Sequence, residues 1–166
     1  GVKTKLQSMY EQREEMRIKE EIFNKLVKDN PIEAPEGMVK SELKFMLEGM
    51  KFQIEQSGMK LEDSGFDEEK AKDEWHDKAE SNCKGYLLLE NIASLEDIHV
   101  SQFDLEEEFK SLASQSKQKP DDVKNRMMAN PEVIKHTSSK ILGRKSLDFI
   151  YSNCEFNFVE TLTAKK

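Results

Sequence analysis

The sequence predicts an all-α domain, an elongated helical body with two helical-hairpin arms and a short extended C-terminal tail. Three observations carry this. Apolar residues recur at helical spacing along nearly the whole chain, and Pro and Gly are few and gather between the periodic stretches. In addition, 36% of the 166 residues are charged and only 36% are hydrophobic. An ordinary globular domain carries about 25% charged residues. Helices with wet outer faces and a thin core, spread out rather than rolled into a sphere, account for that composition.

From Lys3 to Asp29 no Pro or Gly intervenes, and Leu6, Met9, Met16, Phe23 and Leu26 recur between charged residues, which predicts one long amphipathic helix. Asn30-Pro31 stops it, and Pro35-Glu36-Gly37 opens the next, because proline fits a first turn. The second helix, about Glu36 to Ser57, carries two apolar stripes. Val39, Leu43, Met46, Met50 and Ile54 form one; Met38, Phe45 and Phe52, extended by Met59 if the helix survives Gly58, form the other nearly opposite. A hairpin uses one stripe, so either another helix or a bound client chain covers the second.

Gly58 and Glu62-Asp63-Ser64-Gly65 read as the hairpin tip, after which a helix returns antiparallel through the stretch from Asp67 to Ser101. That stretch is the hub. At about 100° per residue Trp75, Ala79, Tyr86, Leu89 and Ala93 share a narrow stripe, with Leu88, Ile92 and Leu95 roughly opposite. Its C-terminal half is thus apolar all round and calls for neighbours on two sides.

Ser101 followed by Asp104 resembles a capping box with Asp in place of Glu, and it opens a helix bearing Leu105, Phe109 and Leu112 on one face. That helix frays at Ser114-Gln115-Ser116-Lys117-Gln118-Lys119. Pro120 begins a short helix with Val123, Met127 and Met128, and Asn130-Pro131 caps another that runs to about Tyr151. Cys154, Phe156 and Phe158 then alternate with Glu155 and Asn157, which predicts an extended tail lying on the helical body.

A net charge of −7 opposes direct binding to nucleic acid or anionic lipid. Cys83 and Cys154 make no disulfide framework and are read as reduced, in a cytoplasmic protein. No run approaches the roughly 20 apolar residues that span a bilayer, and the start at Gly1-Val2 is read as the edge of an excised piece. Asp73 with His76, and Glu96 with His99, have the carboxylate-x-x-His spacing of di-iron bundles but lack the further inward carboxylates; His76 with Cys83 supplies only two zinc ligands. No metal, cofactor or catalytic set is expected, since no phosphate loop, nucleophile elbow or Cys/His pair is present. The acidic Glu106-Glu107-Glu108 run is a solvated face. Eight methionines are the feature with most bearing on binding, because Met fills irregular cores and also serves surfaces that re-pack against many partners.

Several strings together carry a family resemblance. The run from Glu20 to Glu42, with Asp29-Asn30-Pro31-Ile32-Glu33-Ala34-Pro35-Glu36-Gly37 inside it, is one; others are Leu89-Glu90-Asn91-Ile92-Ala93, Ile98-His99-Val100-Ser101 and Lys145-Ser146-Leu147-Asp148-Phe149-Ile150. In order and spacing they resemble the C-terminal domain of bacterial trigger factor over nearly the whole chain. The resemblance implies an ATP-independent chaperone module whose helical arms form a cradle, with a fold related to the helical part of the periplasmic chaperone SurA. It assigns arm one to about residues 35–97, arm two to about 98–150, and the body to 1–34 and 151–166. The family's Gly-Phe-Arg-x-Gly-x-x-Pro ribosome-docking loop and its prolyl-isomerase domain do not occur in this sequence, so ribosome contact is expected only through a missing N-terminal domain and no isomerase activity is expected. A helix that in the family packs into the body is also missing. The face around Met9, Met16 and Phe23 is therefore left exposed or bridged in a homodimer.

The expected partners are unfolded or nascent polypeptides, held by Met38, Phe45, Phe52, Met59, Phe103, Phe109, Met127 and Met128. Clients with basic residues beside apolar ones suit the acidic surface. The alternative is a structural helical scaffold that binds one dedicated partner helix in a groove.

Overall fold

The computed structural model describes residues 2–154, and among these it contains six α-helices and no strand. Phe156 and Phe158, on which the expectation of an extended tail rests, lie outside the described residues. The first helix, α1 (Val2–Asp29), ends where the Asn30 side chain donates to the Leu26 carbonyl at 2.9 Å. α2 (Glu36–Gln56) follows a short linker and runs into Gly58 at φ +80°, a 3-10 turn at Leu61–Asp63, and Gly65 at φ +69°. Two left-handed glycines make the tip, as the sequence indicates.

Side-chain caps start the next helices. The Asp67 carboxylate accepts from the Glu69 and Lys70 amides to open α3 (Glu68–Leu95). At α4 (Gln102–Ser116) the capping box is complete: the Asp104 amide donates to Ser101 Oγ at 3.2 Å, and the Ser101 amide donates to the Asp104 carboxylate at 2.7 Å. α4 ends at Lys117, left-handed at φ 53°, and α5 (Pro120–Met128) begins on proline. Asn130 caps α6 (Pro131–Asn153) by accepting from the Glu132 amide.

α3 is the hub, packed by α1, α2 and α6. Lys51 pairs with Glu68 near the tip, and Glu42 meets Asn82 farther down, so α2 and α3 run antiparallel. Val39, Ala79 and Cys83 form the buried seam of that hairpin, with Leu43 and Met46 against it. α6 lies along α3 through Ser146, whose hydroxyl donates to the Leu89 carbonyl at 3.2 Å, and through Gly143 beside Leu89 and Tyr86. α4 and α5 form a second core with α6 around Phe109, Ala113, Val123 and Met127.

Two expectations are corrected. Leu95 was expected to need a neighbour, yet it is 83% exposed, because α3 stops there and Asp97 turns the chain at φ 55° while the Ile98 amide returns to the Ala93 carbonyl. The buried face of α3 is also made of smaller residues than the predicted stripe: Ala71, Ala79, Cys83, Gly85, Leu89 and Ala93, with Trp75 only partly covered.

The Phe23 ring of α1 packs directly on Gly85 of α3. A Cβ there would overlap the Phe23 ring. Gly85→Ala is expected to destabilise the fold by about 1–3 kcal/mol through overpacking, and a second change, Phe23→Leu, to recover part of that loss. Thermal unfolding by circular dichroism measures both; an unchanged melting temperature in the single variant would contradict the contact.

Candidate functional site

By exposure the eight sequence-predicted residues fall into three groups: open, half-buried and buried. Phe52 and Met59, at the tip end of the α2–α3 hairpin, are 39% and 48% exposed, and Leu61 beside them is 37% exposed. The Phe66 and Trp75 rings pack tilted at 6.2 Å within the same hairpin, so this end is apolar without being sealed. Phe103 on α4 and Met128 on α5 are more open still, at 67% and 57%. Met38 and Phe45 are half-buried: Met38 packs on the Val39–Cys83 seam, and Phe45 stacks on the His136 ring with centroids 3.9 Å apart.

Phe109 and Met127 are corrected. Both lie inside the second core, where α4 and α5 turn these faces toward each other and Val133 and Ile134 of α6 close over them. Phe109 shares its stripe with Leu105, and Met127 follows Val123 by one turn, which is the signal that separates them from the outward Met128.

Beneath Phe45 lies a polar junction with no signature in the sequence. Glu42, 4% exposed on α2, accepts from Asn82 Nδ2 of α3 at 3.0 Å and faces His136 Nε2 of α6 at 2.8 Å. Burial works to raise the Glu42 pKa, but the hydrogen bonds from His136 and Asn82, aided by the charges of His136 and Lys140, outweigh it and hold the carboxyl below its ordinary range. Three helices thus meet on one carboxylate.

A hollow of about 880 Å³ lies between α1, α3 and α6. Its apolar lining is Met16, Phe23, Tyr86, Leu89, Leu147 and Gly143; its polar lining is Arg13, Arg17, Lys19, Lys140 and Arg144 with Glu20 and Asp148. A smaller hollow of about 310 Å³ adjoins it past Phe23 toward Lys78 and Asn82. Burial pushes the Tyr86 hydroxyl well above its usual range, with the Glu42 charge adding to it. None of the eight predicted residues lines either hollow.

The family profile described as "Bacterial trigger factor protein (TF) C-terminus" matches residues 1–152. The chain belongs to the trigger factor C-terminal family. Among curated trigger factors, that of Geobacter metallireducens is 33% identical over 92% of this chain and 36% of its own length. That of Halothermothrix orenii is 31% identical over 90% of this chain and 35% of its own. The chain therefore spans about a third of the relatives it matches. A solved structure titled for the domains of trigger factor from "Themotoga maritim" superposes with a TM-score of 0.56 at 23% identity, covering 85% of this chain and 83% of the other, which establishes the shared all-α trigger factor C-terminal fold.

In this trigger factor domain the histidines do not follow the carboxylate-x-x-His pairing. His76 lies with Asp77 and Glu80, one potential ligand atom from each within 4.8 Å of the others, but His76 and Asp77 are exposed and Glu80 is engaged by Lys84 at 2.6 Å. His99 meets Asp97, at 2.8 Å, on open surface.

Removing the shared carboxylate by Glu42→Ala is expected to cost about 1–3 kcal/mol, the range for leaving buried hydrogen-bond partners unsatisfied. Because the folded pKa of Glu42 is depressed, its contribution is present above the unfolded glutamate value of about 4.3 and is lost as pH falls through the folded value. Urea unfolding of both proteins across that interval should therefore give a stability difference that narrows on acidification. A gap independent of pH would remove the ionised Glu42 from the junction.

Proposed function

We propose that this domain is an ATP-independent chaperone module of the cytoplasm that holds segments of unfolded or nascent polypeptide. The observation that supports it is the exposed apolar surface on an otherwise charged molecule, with Phe52, Met59 and Leu61 on the α2–α3 hairpin and Phe103 and Met128 on α4 and α5. In this reading α2–α3 is arm one, α4 to α6 supply arm two, and α1 belongs to the body. Met38 and Phe45 contribute only their open edges, at the crease where α2 meets α6.

A buried apolar side chain contributes roughly 1.5–3 kcal/mol before ordering entropy is subtracted. Two or three such contacts per arm give weak, rapidly exchanging binding, which suits a protein that must release what it holds. The net charge of −7 favours client segments in which basic residues flank apolar ones. No described helix is long and apolar enough to cross a membrane.

Replacing Phe52 and Met59 together by Ser should preserve helix content and lower the melting temperature only modestly, since the two side chains are 39% and 48% exposed. Suppression of aggregation of an unfolded model protein should fall severalfold in the same variant, as light scattering reads. Full suppression by a folded double variant would reject this site.

A further inference from the structure

Phe45 and Phe52 share one face of α2, but only Phe52, at the tip end, is open; over Phe45 lies His136 of α6. The apolar cores on the two sides of that contact use different helices, Val39, Ala79 and Cys83 from α2 and α3, and Phe109, Ala113, Val123 and Met127 from α4 and α5. The hydrogen bond and the ring contact that join α2 to α6 both end on His136.

His136 supplies a flat ring on the Phe45 face, with planes inclined by 19°, and an N–H aimed at Glu42 Oε2 from 2.8 Å. Glu42 is held ionised, and a carboxylate only accepts, so Nε2 carries the proton. A planar donor stacked on an aromatic ring and directed at a carboxylate is a geometry that a guanidinium also satisfies, with more N–H groups and a fixed charge. His136 thus fills, from within the chain, a place that fits arginine.

Exchange at this place costs little. Water replaces a polar contact at small net cost, which it cannot do for the Val39–Cys83 seam. Asn82 keeps its bond to the other oxygen of Glu42, Oε1, at 3.0 Å within the hairpin, so the carboxylate stays positioned when His136 leaves. Lys140, one turn beyond His136, also acts on Glu42 through its charge, but it is exposed and free to turn into water.

We propose that Glu42 and Phe45 form an arginine subsite, which His136 occupies until an arginine of a client chain displaces it. The client is an unfolded segment, as in the chaperone reading on which this subsite rests. Phe45 and Phe52 are seven helical residues apart, about 10.5 Å. Three residues of extended chain advance about 10 Å. A client with Arg three positions from a Phe or Leu therefore meets both rings together.

The test uses three fluorescent peptides, identical except for Arg, Lys or Gln three positions before a Phe. The native protein should bind Arg most tightly and Gln least, with Arg ahead of Gln about five- to tenfold. The His136 imidazole signals in NMR should move when the Arg peptide binds and stay in place with the Gln peptide. His136→Ala should bind the Arg peptide severalfold more tightly and the Gln peptide as before. In Glu42→Gln the Arg preference should vanish. Phe52→Ser with Met59→Ser should weaken all three peptides alike and keep their order, so a negative aggregation assay on that variant would leave the arginine preference to stand or fall separately. Equal binding of the Arg and Gln peptides by the native protein, His136 signals unmoved by bound Arg peptide, or an Arg preference that survives in folded Glu42→Gln would each overturn the subsite. So would folded His136→Ala with no gain for Arg; if that variant does not fold, the native-protein NMR decides.

Discussion

The contact of Phe23 with Gly85 sets how closely α1 approaches α3, and the same economy of bulk recurs along the rest of the hub helix. Ala79 and Cys83 let α2 come in on one side, while Leu89 and Ala93 are covered on another as α6 runs alongside. A helix that must touch three others cannot present large side chains to all of them, because interiors pack at near-crystalline density and each added methylene displaces something. The bulk therefore comes from the neighbours. Phe23, Val39 and Leu43 supply side chains, and α3 supplies the space.

Apolar packing of this kind allows sliding, and the polar junction at Glu42 limits it. One carboxylate fixes the rotation of α2 against Asn82 and the axial position of α6 against His136, with Phe45 stacked over the imidazole. Buried ion pairs contribute little net stability compared with apolar replacements, and their clearer effect is on specificity of arrangement. The junction lies where the first hairpin meets the second helical group.

Much of this was legible in the sequence because it depends on local chemistry. Ser101 with Asp104, Asn130 before Pro131, and Gly58 and Gly65 at the tip each act on their own few residues, and the structure places caps and turns at all of them. Spacing along a helix also tells which residues share a face, so Val39 with Leu43 and Phe109 with Leu105 were grouped correctly. It does not tell which face turns inward. Phe109 and Met127 were therefore expected at a surface they do not reach, and Leu47 was overlooked. Glu42 and His136 were invisible for another reason: a charged residue reads as wet until its partner is known, and here the partners are separated by 94 positions. The charged hollow likewise needs Arg13 and Lys140 brought together from opposite ends of the chain.

Cys83 lies in the seam between α2 and α3 with no exposed surface, and burial, reinforced by Glu42 and Glu80, pushes its thiol up to about 11. Only the thiolate attacks an alkylating reagent, so this sulfur stays silent until the hairpin parts, whereas Cys154 stands open at the surface from the outset. The two sulfurs make a stopwatch: labelling at the second marks contact with reagent, and the delay before the first is modified records how often α2 lifts away from α3.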